Sequence, residues 1–160
     1  ARLLGNDASE DVANDAIELQ VLISENRGPD SLDRPLKTFA RARLDARQNE
    51  ASRAVGRLDS LLEQYPEHGL VDEALFLKGD LLDQSGRADS AASAYLRLVE
   101  LQPESPLADR SLFQAAELYT NQLRQPQRGI ELLTRLLNAY PGSPFQQAAR
   151  DRIRRLRREA

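Results

Sequence analysis

Cysteine is absent from all 160 residues, which excludes disulfides, thiolate nucleophiles and most structural zinc sites, and leaves the redox compartment open. Methionine is absent too, initiator included, so the expectation is a piece of something longer. Lysine occurs only as Lys37 and Lys78 against 20 arginines, a bias of coding composition rather than of mechanism. No apolar run approaches the ~20 residues that span a bilayer, and no charged-then-apolar leader opens the chain. Charge of one sign is lacking as well. With 29% charged residues and a net charge of −3, the surface is mixed, which argues against a nucleic-acid partner.

Chemistry is equally sparse. His68 is the single histidine and has no Cys or second His to complete a metal set, so it reads as a surface residue of a turn. Asp7 and Glu10 stand at capping-box spacing and, with Asp11, suit a helix N-terminus. Glycines are scattered singly, so there is no phosphate-cradling loop or dinucleotide fingerprint, and no serine has a partnering base. The expectation is a protein that is not an enzyme and takes no cofactor and no metal.

What the chain does have is a beat. Pro29, Pro66, Pro103 and Pro141 follow at spacings of 37, 37 and 38, and the last three each close an apolar stretch, as in Leu61-Leu62-Glu63-Gln64-Tyr65-Pro66. The residues after them, such as Glu104-Ser105-Pro106-Leu107 and Gly142-Ser143-Pro144-Phe145, read as a turn and a helix start. Between prolines the apolar residues recur at three and four positions, as in Leu70, Ala74, Leu77 and Leu81, which is helical periodicity. Each unit breaks in the middle, at Ser85-Gly86-Arg87 and again at Gln125-Pro126-Gln127, so each is a hairpin of two antiparallel helices. One hairpin cannot bury its apolar face, so neighbours must stack.

In the second helices Ala54, Ala91 and Gly129 share one register position, with Leu58, Tyr95 and Leu133 four residues on and Leu61, Leu98 and Leu136 three beyond. This pattern of small, large, apolar and closing Pro resembles the tetratricopeptide repeat family over residues 34 to 158, and Gly79, Ala42 and Ala116 supply the small residue of the first helix. Thr38 and Asp45 depart from it, where the middle unit has the bulky Leu75 and Leu82. The resemblance implies an all-α, right-handed superhelical solenoid of about eight helices. It is expected as a single domain over 1–160: an N-terminal helix or partial repeat in 1–33, helix pairs in 34–65, 66–102 and 103–140, and a capping helix in 141–160. The run of Arg150, Arg152, Arg154, Arg155, Arg157 and Arg158 would give that last helix a solvated outer face. The period and the Tyr-Pro-x-Ser-Pro turn resemble bacterial envelope repeat proteins, such as the Tol-Pal-associated coordinator and the outer-membrane assembly lipoprotein, which implies the periplasm or cell envelope. The cytoplasm stays open.

In that family the first helices line a groove that holds a partner peptide or protein. Carried over, the groove would contain Phe39, Phe76 and Phe113 at 37-residue intervals, with Arg43 and Arg47 in the first unit, Glu73, Asp80 and Asp83 in the second, and Arg110, Glu117 and Asn121 in the third. The rings would serve equally to fill gaps between neighbouring first helices, and both readings stand here. Asp80 and Glu117 occupy places where chaperone-tail clamps of the family carry Asn, which disfavours an acidic C-terminal tail as ligand. The expected function is a scaffold that binds a protein segment in the groove; the alternative is a structural spacer or self-association module.

Overall fold

The computed structural model describes residues 34–159. Among them the chain is entirely helical, in seven helices of 14 residues: α1 (Arg34–Arg47), α2 (Ala51–Gln64), α3 (Val71–Gln84), α4 (Ala88–Leu101), α5 (Ala108–Asn121), α6 (Pro126–Ala139) and α7 (Gln146–Glu159). The helix expected over residues 9–27 lies outside the described residues. Each helix packs chiefly on the ones immediately before and after it, so the seven form a solenoid with α1 and α7 at opposite ends.

The core follows from the second-helix pattern. Ala54, Leu58 and Leu61, then Ala91, Tyr95 and Leu98, then Gly129, Leu133 and Leu136 are all buried, and their spacing of four and three keeps them on one face. Each large side chain withdrawn from water there contributes roughly 1.5–3 kcal/mol. Small residues set how closely the two helices of a hairpin approach. A Cβ on Gly79 would lie 2.5 Å from the Tyr95 ring, and one on Gly129 would lie 2.2 Å from Thr120 Oγ1 and 3.1 Å from the Ala116 carbonyl.

The turns repeat bond for bond. Between hairpins, the amides of His68, Ser105 and Ser143 donate to the carbonyls of Tyr65, Gln102 and Tyr140, and those of Val71, Ala108 and Gln146 donate to the carbonyls of His68, Ser105 and Ser143. A side chain then secures each turn: Leu107 N–H donates to Ser105 Oγ and Phe145 N–H to Ser143 Oγ, both at 3.1 Å. In the first of these turns His68 does the same task, its Nδ1 accepting from Leu70 N–H at 3.2 Å. Partial burial lowers its pKa from the ordinary imidazole value. The lone histidine is thus a turn residue.

Within hairpins the chain reverses through a residue in the left-handed region: Asn49 (φ 59°), Gly86 (φ 72°) and Arg124 (φ 54°). The third of these turns is one residue longer, which accounts for the spacing of 38. It also shifts the expected break: Pro126 starts α6 rather than sitting inside the loop, as suits a ring whose missing N–H would go unused in a first turn.

Asp45, at the site where the middle hairpin has Leu82, is buried in α1 and is compensated by Arg57 of α2, whose Nε donates at 2.6 Å. Consecutive turns are joined by Ser105 Oγ donating to Asp72 Oδ2 at 2.5 Å, and Tyr140 Oη donating to the Pro103 carbonyl at 2.8 Å. Burial pushes the Asp72 carboxyl up, but the hydrogen bonds it shares with the Glu73 side chain, Ser105 and the backbone outweigh that and lower its pKa.

Candidate functional site: the first-helix face

The first helices α1, α3 and α5 carry the expected groove residues. Phe39 and Phe76 are nearly closed off, at 4% and 9% exposure, and belong to the main apolar cluster. Phe76 packs tilted on Tyr95 with centroids 5.5 Å apart, and the Arg110 guanidinium lies over the Phe76 ring, 5.2 Å from its centroid. Phe113 is half-buried and stacks on Phe145 at 5.1 Å. So the phenylalanine stripe is core at its first two positions, and only its third ring has an open side.

The polar candidates fall into two clusters. In the first, Tyr95 Oη donates to Asp80 Oδ1 at 2.5 Å, and Gln122 Nε2 donates to Asp83 Oδ1 at 2.8 Å, tying the end of α3 to the turn after α5. Burial raises the Asp80 carboxyl, with the Asp83 charge adding to it, while the Tyr95 hydroxyl and Arg110 work in the opposite sense. Burial and the same carboxylate push the Tyr95 phenol well up, so it stays a donor. In the second cluster, Arg152 of α7 donates to Glu117 Oε1 at 2.8 Å and also to Asn121 Oδ1, while Asn121 Nδ2 donates to Glu117 Oε2 at 3.0 Å. Arg43 is half-buried and Arg47 exposed on α1, and Glu73 is half-buried in the first turn of α3; neither cluster includes them.

A recess of about 510 Å³ opens between α5 and α7, lined by Phe113, Glu117, Asn121, Ala148, Asp151, Arg152 and Arg155. Three of these residues were expected from the sequence; the four from α7 were not, because that helix reads as a cap. The signal that would have found two of them is the repeat itself. The 38-residue step that carries Pro103 to Pro141 carries Phe113 to Asp151 and Glu117 to Arg155. The wall is therefore apolar at Phe113 and Ala148, acidic at Glu117 and Asp151, and basic at Arg152 and Arg155. Hydrogen bonds from Arg154 and Gln147 hold the Asp151 carboxyl below its usual range.

A second recess, about 310 Å³, lies on the other side between α2 and α4 with α3 as its floor, and is partly bridged by Lys78 Nζ and Asp59 Oδ1 at 2.6 Å. Among the described residues, no group of three or more His, Cys, Asp and Glu side chains could hold a metal ion. No described helix is long and apolar enough to cross a membrane.

The family model described as Tetratricopeptide repeat matches this chain twice, over residues 39–106 and 76–144, two thirds of its length in all. The chain belongs to the tetratricopeptide repeat family. Each match spans one hairpin and its successor, the unit over which the turn bonds recur. No curated protein matches the chain. Tetratricopeptide repeats generally mediate protein–protein interaction, on a scaffold without catalytic groups of its own.

Proposed function

We propose that this tetratricopeptide repeat chain is a non-enzymatic scaffold that holds an extended or helical segment of another protein against its first helices, chiefly in the recess between α5 and α7. The observation that carries the reading is the makeup of that recess. It joins one half-open aromatic ring to carboxylates and guanidinium groups, and Arg152 is anchored on Glu117 and Asn121 so that the walls are set before a ligand arrives. The ligand would place an apolar side chain against Phe113 and present charges of both signs to Asp151 and Arg155. Phe39 and Phe76 support the groove from beneath.

The period of 37 to 38 and the Tyr140-Pro141-Gly142-Ser143-Pro144 turn support placing the protein in the bacterial periplasm or cell envelope, with a protein rather than nucleic acid as its partner. The test is affinity capture from an envelope extract with the native chain and a Phe113→Ser, Arg155→Glu variant of matched melting temperature. A protein held by the native chain and lost by the variant supports the recess; equal recovery by both sinks it.

A further inference from the structure

α7 occupies the place of a first helix but has a different outer face. Its Ala149, Ile153 and Leu156 are buried toward the preceding hairpin. The face that earlier first helices turn toward their own second helix holds Leu75, Gly79 and Leu82 in α3, all buried, with Gly79 directly beneath Tyr95. In register with those three, α7 carries Arg150, Arg154 and Arg157. They recur at steps of four and three, so they form one stripe, and the Arg154 side chain is 68% exposed. A second helix of the apolar kind used in the other hairpins would bury these three guanidinium groups with only the contacts of Arg154 to Asp151 and of Arg150 to Gln146 within the same helix to offset their desolvation, a costly arrangement. The stripe instead suits a helix with carboxylates at matching spacing.

The chain itself contains such a segment. Residues 1–33 hold eight acidic side chains against Arg2 and Arg27, a net −6, while residues 34–160 are net +3, which together make the −3 of the whole. In the sequence Asp7, Asp11, Asp15 and Glu18 recur at steps of four, four and three, the spacing that lines one face of a helix, and Val12, Ala16, Leu19 and Ile23 recur at steps of four, three and four beside them. We infer that the acidic segment of one copy docks on the arginine stripe of α7 in a second copy, so that copies join head to tail.

The occupant is the segment of a second copy, held by the complementary charge of segment and stripe; docking within one copy would leave the chain monomeric. A head-to-tail contact leaves a segment free at one end and a stripe free at the other, so assembly continues past the dimer unless the rotation closes a ring.

Sedimentation of the full 160-residue chain over a range of concentrations tests this. The expected result is a mass that rises beyond two copies, with association weakened at least about tenfold between about 0.05 M and about 0.5 M salt. An Arg150→Glu, Arg154→Glu, Arg157→Glu variant and an Asp11→Lys, Asp15→Lys, Glu18→Lys variant each stay monomeric with unchanged helix content. Mixing the two restores association past the pair, with the two variants alternating, since the native segment of the first meets the native stripe of the second and the reversed segment of the second meets the reversed stripe of the first. A native chain that is monomeric throughout, or variants that associate as the native chain does, overturns the inference. So does a mixture that fails to pair while each variant keeps its native helix content. None of these outcomes bears on whether a partner fills the α5–α7 recess.

Discussion

Arg124 holds φ at 54° in the turn between α5 and α6, where the turn between α3 and α4 has Gly86 at 72°. A side chain in that region costs about 1 kcal/mol, so Arg124→Gly is expected to raise stability by up to about 1 kcal/mol in chemical denaturation. Gly79 sets the opposite demand. An added methyl would meet the Tyr95 ring at 2.5 Å, and that ring is buried and tied through its hydroxyl to Asp80. Gly79→Ala should therefore cost about 1–3 kcal/mol. At His68 the effect runs through pH. The folded pKa is below the unfolded one, because the protonated Nδ1 cannot accept from Leu70 N–H and its charge is partly desolvated. The unfolded chain thus takes up the proton first, and this stabilisation is full above the ordinary imidazole value of 6.5 and declines as pH falls from there to the folded pKa. His68→Ser, the residue found in the two later turns, should remove that part of the pH dependence of the melting temperature.

At the scale of the helix, the second helices were legible from sequence and the first helices only partly. Alternation of Ala91, Tyr95 and Leu98 defines a buried face because both helices of a hairpin and the next neighbour close over it. A first helix is closed on two sides and open on another, so its pattern does not say whether Phe39 points into the stack or out of it; its burial in the main apolar cluster decides for the stack. Asp45 shows the same limit, since its partner Arg57 lies in the next helix and no short motif connects them. Restoring the apolar residue with Asp45→Leu should leave stability unchanged or raise it by about 1 kcal/mol, because Arg57 remains solvated. Arg57→Ala, which leaves the buried carboxylate only Arg53 at 3.9 Å, should lower it by about 1–2 kcal/mol in the same thermal-melting experiment. The contribution of α7 to the recess was hidden for another reason. Its arginines read as a solvating cap, yet Arg152, held by Glu117 and Asn121, and Arg155 both serve the inner wall.

Across the whole molecule the bonds run between neighbours: Ser105 to Asp72, Tyr140 to Pro103, Arg152 to Glu117. Stability in such a stack is close to a sum of hairpins and their interfaces, and the ends open first. Amides of α7, which packs chiefly on α6, should exchange with solvent before those of α3, α4 and α5, as hydrogen-exchange mass spectrometry would record. The same arrangement gives the protein two distinct open sides, one between first helices α5 and α7 and one between second helices α2 and α4. The measurement that separates them is site-specific photo-crosslinking in the native extract, with the probe replacing Ala148 in the first recess or Ser93 in the second. Crosslinks to one polypeptide from position 148 and none from 93 are the result expected of a scaffold that binds along its first helices; crosslinks from 93 alone would contradict it.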